Sequence, residues 1–330
     1  MSTAFDRATR ADARVALVSE PSSRGDAACG DAARPDGAPR VAIATCAEIP
    51  LLEPDDQLVL APLAARGIAA EPVVWDDPAV DWSGYDLVVL RSTWDYSWRR
   101  DEFLAWTRSV PALANPAAVV AWNTDKSYLA ELAAAGVPII PTAFVAPGDE
   151  WTAPDGGGEY VIKPSVSSGS RDTGRYGPGD AVPAADHVRR LQAAGRLVLV
   201  QPYLGAVDAY GETALLYFAD PVTGRLAYSH AIRKGPLLTG PHVDGVDELY
   251  KAEDITARTP TAAELAVGDT VVATLPDGLV YARVDLIPDA DGNPHLIELE
   301  LTEPSVFLVH DPAAADRLAT AITTHLPSRP

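Results

Sequence analysis

From Arg40 onward, short apolar runs take turns with stretches of helical period. "RVAIATC" (40–46), "IAAEPVVW" (68–75) and "YDLVVLRS" (85–92) are runs of strand length, apolar enough to be buried. Between the first two, "DQLVLAPLAARG" (56–67) repeats apolar residues at helical spacing and stops at Gly67. "EFLAWTRSV" (102–110) repeats the pattern after the third run. Strands separated by helices predict a parallel α/β sheet, with ligand groups gathering past the carboxyl ends of the strands. Glu48 lies just past the first strand, and Arg91, Ser92, Thr93 and Asp95 lie at the end of the third. For each of them a solvated loop position is as good a reading as substrate contact.

Further along, "NTDKSYLAELAAAG" (123–136) predicts one helix from Asn123 or Thr124 to Gly136, with Lys126 in its first turn. A cation there opposes the helix dipole at a cost of ~0.3–1 kcal/mol. Neighbouring Asp125 offsets that cost, or an anionic ligand does. "YVIKPSVSSGSRDTGRY" (160–176) is a strand ending near Lys163, followed by a Ser/Gly loop of small hydroxyls and backbone N–H groups suited to phosphate oxygens. The lysine precedes the loop, so this is not a Walker loop, and a plain turn fits as well. "RLVLVQPYLGAVDAYGETALLYFAD" (196–220) is two strands around a crossing at Gln201, Pro202, Tyr203 and Leu204, with Glu212 opening the second strand. "LAYSHAIRKG" (226–235) and "LVYARVDLIPDADGNPHLIELELTEPS" (279–305) follow, and "DADGN" reads as the turn of an antiparallel hairpin.

In "ELELTEPS" (298–305), alternation puts Glu298 and Glu300 on one strand face and Leu299 and Leu301 on the other. The hairpin brings Asp285 toward both glutamates, and Arg283 shares the Asp285 face. One reading is a solvated acidic face. The other is a hard-oxygen site suited to Mg²⁺.

Composition narrows the choice. A net charge of −20 over 330 residues argues against nucleic-acid or lipid-surface binding, but leaves room for a local cationic pocket. The cysteines, Cys29 and Cys46, form no metal or disulfide pattern, and no apolar run approaches a membrane span. The expectation is a reduced, cytoplasmic protein. Arginine replaces lysine nearly everywhere; the exceptions are Lys126, Lys163, Lys234 and Lys251. A compact ammonium suits a phosphate pocket that a guanidinium does not. Residues 1–39 lack periodicity and predict a disordered extension, with "ARVALVSE" as a candidate short strand.

A helix lysine, "YVIKP" with its Ser/Gly loop, the "VQPYL…GE" crossing and "RVDLI…LIELEL", in that order, resemble the ATP-grasp ligases, which include D-alanine–D-alanine ligase and glutathione synthetase. "RSTWDY", "NTDK" and "ELELTEPS" resemble the group containing the O-ureido-serine cyclo-ligase of cycloserine biosynthesis. The resemblance spans about Arg40 to His310. It implies an ATP-grasp fold, α/β and becoming α+β in the C-terminal half. An N-terminal parallel α/β domain would cover 40–118, a central and lid subdomain 119–204, and a catalytic subdomain 205–330.

The resemblance also implies site roles. Lys126 and Lys163 would contact ATP phosphates, and Ser167, Ser168 and Gly169 would belong to the lid. Gln201, Pro202, Tyr203 and Leu204 would frame the adenine, with the Pro202 carbonyl and the Leu204 N–H reading its edge. Glu212 would hold the ribose. Asp285, Glu298 and Glu300 would bind two Mg²⁺ ions. Arg283 and Arg233 would stabilise charge on an acyl phosphate. Glu48, Arg91, Ser92, Thr93, Asp95, Glu303 and Ser305 are candidates for the substrate end. Familiar members carry Asn where this chain has Glu300, which either tightens the metal or places Glu300 one step back from it.

The implied activity is ATP- and Mg²⁺-dependent carbon–nitrogen ligation of a small amino-acid-like carboxylate, with intramolecular ring closure as one form. A small-molecule kinase and a non-catalytic nucleotide sensor are the competing readings. A homodimer is the default assembly.

Overall fold

Strand β1 (Arg40–Thr45) lies between β2 (Ala69–Val74) and β3 (Leu87–Ser92), and both pairings are parallel, as expected. β1 is fully buried from Val41 onward, which is why its run shows no polar alternation. The structure, a computed structural model, describes residues 37–154, 156–238, 240–242 and 254–327. The expected extension, "ARVALVSE" within it, lies outside the described residues but for 37–39.

The helix expected over 56–67 is two short ones, α1 (Pro54–Gln57) and α2 (Leu60–Ala65). Pro62 explains the break. It lacks an N–H and its ring would clash with the carbonyl four residues back, so it is tolerated only in the first turn of a new helix. Gly67, at φ +73°, ends α2 as expected. After β3, α3 (Arg100–Ser109) buries Phe103 and Leu104 against the sheet.

The helix expected over 123–136 is shorter, α5 (Tyr128–Ala134); Asn123 instead ends a preceding helix, α4 (Ala117–Asn123), and Lys126 lies in the turn between them. The cause is tertiary. The Lys126 N–H donates to Ser165 O at 2.8 Å in place of an intrahelical carbonyl. The Asn123 side chain donates to Leu299 O (2.8 Å) and accepts from the Leu301 N–H (2.7 Å). Lys126 is therefore not in a helix's first turn, and the dipole argument for a ligand there falls away.

The rest is antiparallel. β4 (Ala143–Val145), β5 (Tyr160–Pro164), β6 (Gly174–Tyr176) and β7 (Val198–Pro202) form one sheet in the order β4-β7-β5-β6, and α6 (Ala181–Ala193) buries Ala184, Val188 and Leu191 against it. After α7 (Val207–Tyr210) come β8 (Glu212–Ala219), β9 (Leu226–Lys234), β10 (Ile255–Arg258), α8 (Ala262–Ala273), β11 (Tyr281–Pro288) and β12 (Pro294–Glu300). These strands form a second sheet, β10-β9-β8-β11-β12. α9 (Ala314–Thr324) joins this sheet to the parallel one in a shared core that includes Ile43, Val89, Phe218, Leu318 and Ile322. The "DADGN" turn is where expected, with Asp289 Oδ1 accepting from the N–H groups of Asp291 and Asn293. Among the described residues no helix is long and apolar enough to cross a membrane.

Asn115 locks β11 to the end of β12. It is fully buried, its Nδ2 donates to Tyr281 O (2.9 Å) and Leu301 O (2.7 Å), and its Oδ1 accepts from the Val280 N–H (2.8 Å). Its φ of +56° suits Asn better than Ala. Asn115→Ala strands three buried backbone groups and is expected to cost roughly 3–5 kcal/mol. Chemical denaturation checks this; an unchanged midpoint would show that the three groups find water instead.

Candidate functional site

The two antiparallel sheets and the turns leading from the parallel sheet enclose a cavity of about 450 Å³, within the range usual for small-molecule sites. Lys126, Lys163, Ser167, Ser168, Gly169, Gln201, Pro202, Tyr203, Leu204, Glu212, Arg283, Glu298, Glu300, Glu303 and Ser305 all line it. The sequence places these residues on separate elements, and the fold brings them to one space.

Lys163 stands at the end of β5. Its side chain is buried and makes no hydrogen bond or ion pair to any described residue. Burial lowers its pKa to about 8, with Glu298 pulling it up and Lys126 pushing it down. A buried ammonium with no partner, facing a cavity, calls for an anion. Lys126 donates to Ser167 O at 2.7 Å and pairs with Glu298 Oε1 at 3.1 Å. The Ser/Gly loop turns back on itself through left-handed conformations at Gly169, Ser170 and Asp172. Its Ser168 hydroxyl donates to Trp94 O (3.2 Å). At the crossing, the Gln201 side chain is held by Thr142 Oγ1 at 2.9 Å. Apolar Val161, Ile140, Ile287 and Ile297 line the cavity too, giving walls suited to a flat ring.

The hairpin brings Asp285 opposite Glu298 and Arg283 opposite Glu300, by way of a register shift between Asp285 and Leu286. Arg283 forks onto Asp285, Nε to Oδ1 at 2.9 Å and Nη2 to Oδ2 at 2.8 Å, and also pairs with Glu300. Lys234 reaches Asp285 Oδ2 at 2.8 Å and pairs with Glu212, its register partner on β8. Burial works to raise the Asp285 pKa, but Arg283 and Lys234 overcome it and hold the carboxyl well below its ordinary range. The Glu298 carboxyl is likewise lowered, with Lys126 and Lys163 outweighing burial. Burial raises Glu300 to about 7 against the pull of Arg283, and raises Glu212 to about 8 against Lys234.

Glu298 and Glu300 line the cavity, each with one oxygen held by a cation (Lys126 and Arg283) and the other left to suit a hard cation. Asp285 does not line the cavity, and its oxygens are engaged by two cations. For it to reach an ion, one of those cations must let go. Among the described residues no three carboxylate, histidine or cysteine side chains stand together as a ready metal cage.

Several sequence candidates lie elsewhere. Glu48 is exposed and outside the cavity. Arg91 is buried on Asp56 Oδ1 (2.9 Å), Ser92 donates to Asp56 Oδ2 (2.8 Å), and Asp95 accepts from Trp75 Nε1 (2.9 Å) and pairs with Arg99. These are internal contacts beneath the site. The Thr93 hydroxyl is buried without a described partner and does not line the cavity. Arg233 points to the other side of β9, donating to Tyr210 O at 2.8 Å, and it is Lys234 that faces the cavity. Gly211 makes room for this crossing: a Cβ there would sit 2.4 Å from Lys234 O and 2.7 Å from Arg233 Nε. Sequence reasoning missed Lys234 as a site residue, although its rarity as a lysine was a signal. It also missed Asn115 and Asn123, which hold the acidic strand from behind.

Residues 41–118 match the family model for the N-terminal domain of the D-cycloserine synthetase DcsG. The cycloserine biosynthesis protein DcsG of Streptomyces lavendulae is 42% identical over 276 residues, covering 79% of this chain and 90% of that protein. The crystal structure of D-cycloserine synthetase DcsG superposes with a TM-score of 0.76 at 37% identity, covering 87% of this chain and 100% of that one. A RimK domain ATP-grasp protein from Sphaerobacter thermophilus gives a TM-score of 0.60 at 20% identity, over 87% of this chain and 99% of that one. That last likeness shows the fold alone.

Proposed function

Since this chain belongs to the D-cycloserine synthetase DcsG family of ATP-grasp ligases, we propose that it closes a ring in an amino-acid-like substrate at the expense of ATP. In this reading the substrate carboxylate attacks the γ-phosphoryl group, giving ADP and an acyl phosphate. A nitrogen of the same molecule then displaces phosphate. The observation that carries the proposal is Lys163, buried and without a partner among the described residues, which lines one cavity with Lys126, Glu298 and Glu300.

Each side chain then has a task. Lys126 and Lys163 bind and orient the phosphates, and the 167–169 loop covers them. The Gln201–Leu204 crossing holds the adenine, and Glu212 the ribose. Arg283, fixed by Asp285, faces the reacting carboxyl and offsets the charge that develops there. Glu298 and Glu300 would hold Mg²⁺, two ions in the family expectation, which supplies charge neutralisation on the phosphates. Holding the reacting groups in place is the main catalytic contribution. No covalent enzyme intermediate is called for. The domain limits at 118 and 204 are part of the same proposal.

The test is product analysis with ATP, Mg²⁺ and O-ureidoserine. A ligase releases ADP and inorganic phosphate in equal amounts along with the cyclic product. A kinase on this scaffold would form ADP with a stable phosphorylated product and no inorganic phosphate. A sensor would form neither.

A further inference from the structure

The segment after β12 is held by four consecutive carbonyls. Thr302 O accepts from the Tyr281 hydroxyl (2.8 Å), Glu303 O from Trp94 Nε1 (3.3 Å), Pro304 O from Arg91, and Ser305 O from Arg283 Nη1 (3.1 Å). Within this clamp the Glu303 side chain is only 8% exposed and lines the cavity, yet it makes no hydrogen bond or ion pair to any described residue. A buried carboxylate without a partner is costly. Burial first, and Glu300 next, push its pKa up to about 8 against the pull of Lys126 and Arg283.

The other carboxylates lining this end of the cavity are already used. Glu53 accepts from the Asp55 N–H at 2.7 Å and so caps α1. Asp55 accepts from the N–H groups of Leu308 and Val309, both at 2.8 Å. Glu300 pairs with Arg283. Glu303 alone among these four is rigidly presented and uncommitted.

We propose that Glu303 is the counter-charge for the ammonium group of an amino-acid substrate, and so the residue that selects amino acids over simple acids. The inference rests on the ligase reading and deepens it. A protonated amine supplies the donors and the directly paired positive charge that no described side chain gives Glu303. A substrate without the amine leaves Glu303 buried and unpaired, which is a strong basis for rejection.

The test is calorimetric titration of the full-length protein, loaded with Mg²⁺ and a non-hydrolysable ATP analogue. The two probes are O-ureidoserine and the same acid with hydrogen in place of its α-amino group. The wild type is expected to bind the amino probe roughly 10- to 100-fold more tightly. Glu303→Gln is expected to abolish that difference by weakening the amino probe alone, and Glu303→Asp to retain part of it. Undiminished nucleotide binding by the variants shows that they are folded. A wild type that binds both probes equally overturns the proposal without any variant, as does a Glu303→Gln protein that keeps the wild-type ratio. If the wild type discriminates between the probes but forms no ADP and phosphate, the ligase reading fails while the Glu303 assignment stands. If it turns over normally and Glu303→Gln still discriminates, the reverse holds.

Discussion

Glu298→Gln is expected to lower turnover roughly a hundred- to a thousand-fold at limiting Mg²⁺. The substitution keeps size and shape but removes a charge from the face that would hold the metal. It also takes away the partner of Lys126, 3.1 Å from Glu298, and the counter-charge that pulls the Lys163 pKa upward. Glu300→Gln should be milder. Glu300 is already raised to about 7, and Asp285 continues to hold Arg283 in place when Glu300 is neutral. The alternative of a solvated acidic face predicts that both changes relieve repulsion and keep activity. Turnover measured against Mg²⁺ concentration separates the two; a Glu298→Gln enzyme with normal rates at limiting Mg²⁺ would sink the metal site.

Strand periodicity made the hairpin legible. Period-two alternation in "YARVDLI" and "LIELEL", joined by a turn rich in Asp and Gly, marks the two paired strands and the face that carries the charged side chains. The exact pairs needed more: unbroken pairing out from Pro288 and Pro294 would set Asp285 opposite Ile297, and a register shift between Asp285 and Leu286 brings it opposite Glu298 and Arg283 opposite Glu300. The same logic fails on β9. There Ala231, Ile232 and Lys234 are all buried, so no polar alternation marks which of Arg233 and Lys234 looks inward. A register shift between Leu216 and Tyr217 on β8 removes the remaining cue. The break at Lys126 was hidden for another reason: it depends on Ser165, far along the chain, taking its N–H. The cluster at the end of β3 sits where ligand groups gather in open sheets. Here the chain spends it on a buried Arg91–Asp56 pair that reaches Pro304 O and so positions the loop carrying Glu303. Local sequence does not distinguish an arginine that touches substrate from one that holds the loop that does.

Lys163→Met is expected to weaken binding of a non-hydrolysable ATP analogue roughly 30-fold or more, because it removes a desolvated cation from the phosphates. Stability should move the other way. Burial lowers the folded-state pKa of Lys163 to about 8, whereas an unfolded lysine titrates near about 10.4. Between those values the unfolded chain binds more protons, so wild-type stability without ligand rises with pH across that window; below it, the buried charge is a standing cost. Methionine removes the cost, so the unliganded variant should melt at the wild-type temperature or above it at neutral pH, with a flatter pH dependence from about 8 to 10. Nucleotide affinity carries the complementary signature. Phosphate favours the protonated amine, so above pH 8 the wild type must take up a proton to bind. Its affinity should therefore fall with rising pH, with a buffer-dependent binding enthalpy that the variant lacks. Calorimetry at several pH values in two buffers, alongside thermal melts, reads all three effects. Unchanged affinity, or a loss of affinity that comes with a lower melting temperature, would remove Lys163 from the phosphate site.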